Sequence, residues 1–400
     1  MRTLPKVRLF RTALTAALLW AAPAAAQTDS TARAQRNLLA WTQRDAFRLI
    51  DSIADAEFRR DSLGSITVAI VNGRELVWAK SYGFTDRQRT QRATPATVYR
   101  IASVTKQFTA IALLQLAERK VLRVSDPVVQ YVPEIRTVLG LVRPPSLVQL
   151  ATMTSGLART SADQGKSSKG PLDTWMETLL TALPETDAVS EPGTTYRYSN
   201  VGYGVLGAAV SRAAKEPFVE YVRARILRPL GMTSTDFVLS ETMRRRLAAG
   251  VDYDVLVKDS LNYEDAAASH RTGPGGGVPN GALYSTVEDL AKLVSLELGF
   301  GPDSVLSPGA IALRNAVPVA AQPHLYWGYG LGTQVQRYAD TVMVGHSGNT
   351  SGYTSQVWYD VSRAFGVIVL RSAGGGQADA HRLAGLAFRK LVSLEPARRP

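Results

Sequence analysis

The chain of 400 residues contains no cysteine. That excludes disulfides, thiolate catalysis, thiolate-bound metal and anchoring through a lipidated cysteine. Such a chain must be held by its core, and 45% hydrophobic residues over this length suffice for a large one. Histidine is scarce as well. The four histidines, at 270, 324, 346 and 381, are dispersed and poor in acidic neighbours, so no metal site and no cofactor is expected. The hydrolase elbow G-x-S-x-G is missing: Gly345-His346-Ser347-Gly348-Asn349 fails at its last position. Gly165-Lys166-Ser167 ends like a phosphate-binding loop, but the first glycine of that motif would fall on Thr160 and no strand precedes it. There is no internal repeat and no long low-complexity linker. The formal charge of +12 is scattered, apart from small clusters such as Arg244-Arg245-Arg246, and lacks the interleaved aromatics of a nucleic-acid module. It reads as a basic surface with no nucleic-acid partner.

Residues 1–26 have the pattern of a leader. Arg2, Lys6, Arg8 and Arg11 precede an apolar run from Thr12 to Ala22, and Ala24-Ala25-Ala26 offers a small-residue cleavage signal. The uncharged stretch is short and contains Pro23, so cleavage near Ala26 and export are expected, with no stable membrane span. The remainder, 27–400, is expected to form one domain with its core at about 35–393.

Residues 35–61 read as an amphipathic helix. Ser65 to Val71 and Glu75 to Tyr82 alternate as a β-hairpin around Asn72-Gly73. Residues 103–119 form a helix apolar nearly all round, hence buried. From about 124 to 300 the pattern is mostly helical, with long loops at 158–172 and 271–281. Strands return at 327–371, and 379–394 forms a closing helix. Strands first and last imply an α+β fold: one antiparallel sheet from both chain ends, flanked by helices, with an inserted, mostly helical lobe and a site in the cleft between.

Three stretches carry chemistry. Ser103-Val104-Thr105-Lys106 opens the buried helix, with Ser103 in the place of an N-cap. A capping box would put Glu or Gln where Lys106 stands, and a first-turn cation opposes the helix dipole. The spacing puts both side chains on one face, where a desolvated lysine can take a serine proton. The other reading is an exposed first turn. Tyr198-Ser199-Asn200 precedes an apolar helix. It is either a simple cap or a tyrosine proton relay beside a positioning asparagine. His346-Ser347-Gly348-Asn349 follows a strand. It is either a hairpin turn or a strand edge that binds an acyl group and offers a backbone N–H to an oxyanion.

Taken together and in this order, S-x-x-K, Tyr-x-Asn and His-x-Gly resemble the serine β-lactamase and penicillin-binding protein superfamily. The tyrosine form is similar to its class C β-lactamase, DD-peptidase, D-aminopeptidase and esterase branch. Met153-Thr154-Ser155-Gly156-Leu157 and Trp327-Gly328-Tyr329-Gly330-Leu331-Gly332 add to the likeness. The resemblance implies a β-lactamase/transpeptidase-like fold and a serine hydrolase working through an acyl-enzyme without cofactor. Ser103 would be the nucleophile, with Lys106 and Tyr198 sharing its proton. Asn200 would bind Lys106 and the substrate amide. The N–H groups of Ser103 and Asn349 would form the oxyanion hole, and His346, Ser347 and Gly348 would border the substrate. The partner would be a small-molecule or short-peptide acyl donor, cell-wall peptide included. Many β-lactamases have Lys-Thr-Gly where His346-Ser347-Gly348 stands. A mostly neutral histidine would hold a β-lactam carboxylate less well, which favours amide, D-residue peptide or ester substrates. A class C-like β-lactamase and a penicillin-acylated sensor without turnover are the alternatives.

Overall fold

The computed structural model describes residues 44–163, 170–253, 261–264, 275–316, 319–320, 327–338 and 341–393. The amphipathic stretch forms α1, Arg44–Phe58; its earlier part and the leader lie outside the described residues. Strands β1, Ser65–Asn72, and β2, Glu75–Gly83, form the hairpin. Asn72 pairs with Glu75, so the loop is Gly73-Arg74, one residue later than expected. Gly73 takes φ +55, the sign that tight hairpin turns require.

The middle of the chain is mostly helical. After the short β3, Tyr99–Arg100, come α2 (Thr105–Glu118), α3 (Leu147–Ala151), α4 (Trp175–Thr181), α5 (Asn200–Ala214), α6 (Phe218–Val222) and α7 (Glu241–Arg245). Two small strand pairs, absent from the sequence expectation, interrupt the helices. β4, Gly250–Tyr253, pairs with β5, Leu261–Glu264, and β3 pairs with β6, Tyr284–Ser285. Helices α8 (Val278–Gly281), α9 (Val287–Glu297) and α10 (Pro308–Asn315) complete the block. Strands β7 (Val319–Ala320), β8 (Trp327–Tyr329), β9 (Gln334–Tyr338), β10 (Thr341–Thr350), β11 (Tyr353–Asp360) and β12 (Phe365–Arg371) follow, and α11, Ala380–Ser393, closes the chain.

Among the described residues the main sheet runs β2-β1-β12-β11-β10-β9-β8-β7, antiparallel throughout. Both chain ends meet where β1 pairs with β12, Val68 opposite Val369. Every residue of β1 is buried, which explains its unbroken apolar run: both faces are covered. Ile66, Val68, Ile70, Val367 and Val369 face a core made with Ile50, Ala54, Leu383 and Phe388 of α1 and α11. Ala69, Val71, Ile368 and Leu370 point the other way, into the larger core shared with the helical block. Helix α2 runs through that second core and is buried from Thr105 to Leu116.

One buried ion pair ties the helices behind α2. Arg314 of α10 and Glu297 of α9 lie 2.9 Å apart with both side chains fully buried. Arg314 also donates to the Gln107 carbonyl of α2 at 2.8 Å, and its own carbonyl accepts from the Thr333 hydroxyl. Burial pushes the Glu297 carboxyl up, against the pull of Arg314. Arg314→Met should cost about 3–5 kcal/mol in denaturant unfolding, because it strands a buried carboxylate. A loss below roughly 1 kcal/mol, the scale of an exposed pair, would show that the pair is not a structural tie.

Candidate active site

The backbone enters the site through Ile101, whose N–H bonds the Leu283 carbonyl at 3.0 Å. Ala102 then takes φ +46. A residue with a Cβ pays roughly 1–3 kcal/mol there, so its surroundings must enforce the bend. Ala102–Val104 form a single 3-10 turn, and α2 begins at Thr105 with Val104 at its N-cap. Ser103 therefore caps nothing, contrary to expectation. The bend turns its hydroxyl out of the helix start, and Ser103 is half-buried and lines the cavity.

Lys106 is fully buried beneath Ser103. Its Nζ donates to Ser103 Oγ at 3.1 Å and to the Asn280 carbonyl at 2.8 Å. Neither acceptor is charged. Burial, and then the charge of Arg159, hold the ammonium well below its ordinary pKa. Asn280 was not anticipated. It lies on α8, in the glycine-rich stretch 271–281 that the sequence marked only as a loop. The expected direct bond from Asn200 to Lys106 does not form: the Asn280 carbonyl takes that place, and Asn280 Nδ2 donates to the Asn200 carbonyl at 3.2 Å. Asn200 opens α5, which Ser199 caps by accepting from the Gly202 N–H at 2.9 Å. Cap and motif thus coexist. The buried Asn200 Oδ1 has no partner, and Asn200 is not among the residues that line the cavity.

Tyr198 is hydrogen-bonded to Ser103. Burial pushes its phenol up to about 12, against the opposing effects of that bond and of Arg159. Two basic groups lie over its ring: Lys106 Nζ and Arg159 Cζ, each 4.9 Å from the centroid.

Strand β10 supplies the opposite wall. His346-Ser347-Gly348-Asn349 is not a turn. The strand continues to Thr350, with His346 opposite Val357 and Asn349 opposite Thr354. Its other neighbour, β9, pairs only as far as Gly345, so beyond that point β10 is an open edge. Ser347 directs its N–H to that side, where it meets Gln334 Oε1 at 3.1 Å. By strand alternation the Asn349 N–H points the same way. Gly348 lies against the Ser103 turn: a Cβ there would be 2.4 Å from the Ile101 carbonyl oxygen. The same oxygen accepts from Ser355 Oγ at 2.8 Å, clamping turn to strand.

His346 does not border the cavity. It is fully buried, with its Nδ1 donating to the Ser347 carbonyl and its Nε2 accepting from Tyr329 Oη at 2.9 Å. Burial, then the nearby Lys106, pull its pKa down to about 3, so the ring is neutral. This corrects the expectation that His346 meets a substrate carboxylate. The strand turns it inward with Val357, leaving Ser347 and Asn349 to face outward.

The cavity holds about 620 Å³. It is lined by Ser103, Tyr198, Ser347, Gly348 and Asn349 from the sequence motifs, by Trp327 from the Trp327–Gly332 stretch, and by Arg159, Tyr196, Gln334, Gln356, Asp379 and His381, which sequence reasoning did not name as site residues. Arg159 had a weak signal, since it lies two residues after the Met153–Leu157 stretch. His381, on the terminal helix, had none.

The model of the Beta-lactamase family matches residues 50–390. The chain belongs to the Beta-lactamase family. It is 26% identical to "Protein flp" of Staphylococcus aureus (strain COL) over 333 residues, covering 82% of this chain and 63% of that protein. The chain thus spans under two thirds of that relative's length. The octameric penicillin-binding protein homologue from Pyrococcus abyssi superposes with a TM-score of 0.75 at 25% identity, covering 88% of this chain and 78% of the other. The D-amino acid amidase from Ochrobactrum anthropi SV3 superposes with a TM-score of 0.71 at 22% identity, covering 88% and 98%. The β-lactamase/transpeptidase-like α+β fold is that of these neighbours. No described helix is long and apolar enough to cross a membrane.

A lysine at position 346 would enter a dry slot beside Lys106 and bring an unpaired charge. His346→Lys should therefore destabilise the protein by about 3 kcal/mol or more. It should slow neutral nitrophenyl esters and penicillins by a similar factor. A selective gain for penicillins, with the melting temperature unchanged, would show that the side chain reaches the substrate after all.

Proposed function

We propose that the protein is a serine hydrolase that acts through an acyl-enzyme on Ser103, with amide, D-residue peptide or ester bonds as substrates. The observation that carries this reading is Lys106: fully buried, bonded to Ser103 Oγ and to a neutral carbonyl, and held well below its ordinary pKa. A lysine so placed can be the base that a serine nucleophile needs. Neutral Lys106 takes the Ser103 proton as Oγ attacks the carbonyl carbon. The Ser103 and Asn349 N–H groups stabilise the oxyanion. Tyr198 gives its proton to the leaving nitrogen or oxygen and is reprotonated from Lys106. Water then attacks the acyl-enzyme, and its proton returns by the same groups to Ser103. Asn200 Oδ1, buried and unpartnered, would accept from the substrate amide. The solved D-amino acid amidase neighbour lends this substrate class support. A class C-like β-lactamase has less in its favour, because the neutral, inward-facing His346 offers a β-lactam carboxylate nothing. A sensor that stays acylated differs only in lacking the last step.

Intact mass spectrometry after a fluorophosphonate pulse should show one adduct, on the peptide holding Ser103, and none in Ser103→Ala. An equal adduct in that variant would overturn the assignment. The panel that sorts the readings comprises a chromogenic cephalosporin, D-Ala-D-Ala peptides, D-amino-acid amides and short-chain nitrophenyl esters. Turnover of the amides or esters would exclude the sensor.

Lys106 should also set the pH profile. Its protonated form is inactive as a base, so acylation should rise with pH and level off well below pH 10.5, the ordinary lysine value. Lys106→Arg keeps a charge but supplies no base, and should lose on the order of 10²–10⁴ in rate. Near-normal acylation in that variant would place the base elsewhere.

A further inference from the structure

Helix α8 is a single turn, Val278–Gly281, and it follows a turn of three glycines, Gly275–Gly277. Little in its own sequence fixes it. It is nevertheless pinned at three points between α2 and α5. The Thr109 hydroxyl of α2 donates to the Pro279 carbonyl at 2.5 Å, and Lys106 Nζ donates to the Asn280 carbonyl at 2.8 Å. Asn280 Nδ2 donates to the Asn200 carbonyl of α5 at 3.2 Å. That carbonyl can only accept, so the amide nitrogen, not the amide oxygen, must face it. The Asn200 backbone is itself held, its N–H bonding the Arg159 carbonyl at 2.9 Å. Two of the three ties therefore run through one residue, which meets the base with its backbone and α5 with its side chain.

We infer that Asn280 is a positioning residue for the base: its side-chain bond to α5 holds its own carbonyl on Lys106, and that carbonyl aims the amine at Ser103. This rests on the hydrolase reading above and adds a residue to that same site. The peptide unit that carries the Asn280 carbonyl is shared with Gly281, whose backbone turns easily, so its plane needs an outside hold. A neutral amine has two N–H groups and one lone pair. The carbonyl takes an N–H, which restricts rotation about the last bond of the side chain to settings of which one turns the lone pair to Ser103 Oγ, 3.1 Å away. The other groups that face Lys106 are the Tyr198 and Tyr203 rings, Arg159 and the neutral His346. Burial and Arg159 act against a protonated amine, and the Asn280 carbonyl acts for it. The carbonyl thus bears on both the aim and the strength of the base.

The test follows the rate at which a fluorophosphonate labels Ser103 across pH, in wild type, Asn280→Ala and Asn280→Leu. Neither variant has a donor, and Leu keeps the branched shape of Asn. Pro279 lies against Gly207 of α5, where a Cβ would come within 2.3 Å of the proline ring, so α8 stays seated when the amide is gone. In both variants the acid limb of the profile should move down by about one pH unit and the plateau should fall by about tenfold. A hydrogen bond to a charged group is worth roughly that factor, and a weaker, misaimed base acts more slowly. Thr109→Val removes the neighbouring tie of α8 and is the control; its limb should stay with wild type. A merely structural Asn280 would lower the melting temperature and leave the limb in place, or would admit water to Lys106 and move the limb up toward the ordinary lysine value. Either result, or an equal downward move in Thr109→Val, would overturn the inference and leave the hydrolase reading standing. Wild-type protein that is labelled at no pH would remove the hydrolase reading and this inference with it.

Discussion

A lysine amine placed out of reach of water, with no carboxylate to neutralise it, constrains everything around Ser103. Charged, such a group in a dry interior costs several kcal/mol; neutral, it keeps a lone pair and accepts a proton. The fold disfavours the first outcome. Helix α2 buries Lys106 completely, α8 gives it only a carbonyl, and the cation that bears on it is Arg159, which repels. The two opening anomalies of α2, a missing cap and a cation against the dipole, are local costs offset by the large apolar surface that the same helix buries. A carboxylate beside Lys106 would stabilise the helix start and favour the charged amine.

The nucleophile's position depends in turn on close backbone approach. Ala102 is held at φ +46 by neighbours on both sides: the Ile101 N–H bonds the Leu283 carbonyl, and the Ile101 carbonyl accepts from Ser355. Gly348 lets β10 reach that turn. The open edge of β10 past Gly345 and the Ser103 turn are thus fixed to each other by the packing that forms the core. The space between Ser103 and Asn349 is thus bounded by a turn and a strand packed against each other.

Much of this was legible in the sequence because burial leaves periodic marks. β1 read as a strand from Ser65 to Val71, and α2 read as a buried helix from its unbroken apolar run. The spacing of Ser103 and Lys106 placed them on one face. What was not legible depended on contacts between distant segments. Whether Ser103 capped α2 turned on one backbone angle at Ala102. Whether His346 faced in or out turned on the strand continuing through the motif instead of turning there, a parity that reverses with a single residue of register. Asn280 reaches the site from α8, Arg159 from a loop and His381 from the last helix. No local pattern joins position 280 to position 106; only the packed fold does.

Tyr198 packs between the two basic groups of the site. Its ring lies 4.9 Å from the Arg159 guanidinium carbon and 4.9 Å from Lys106 Nζ, and the Arg159 charge disfavours a second charge on Lys106. The same ring carries the hydroxyl that bonds Ser103. Held up near pKa 12 by burial, that hydroxyl keeps its proton at neutral pH. Lys106 Nζ donates to Ser103 Oγ, and Ser103 is hydrogen-bonded to Tyr198 as well, so Ser103 stands between the two groups.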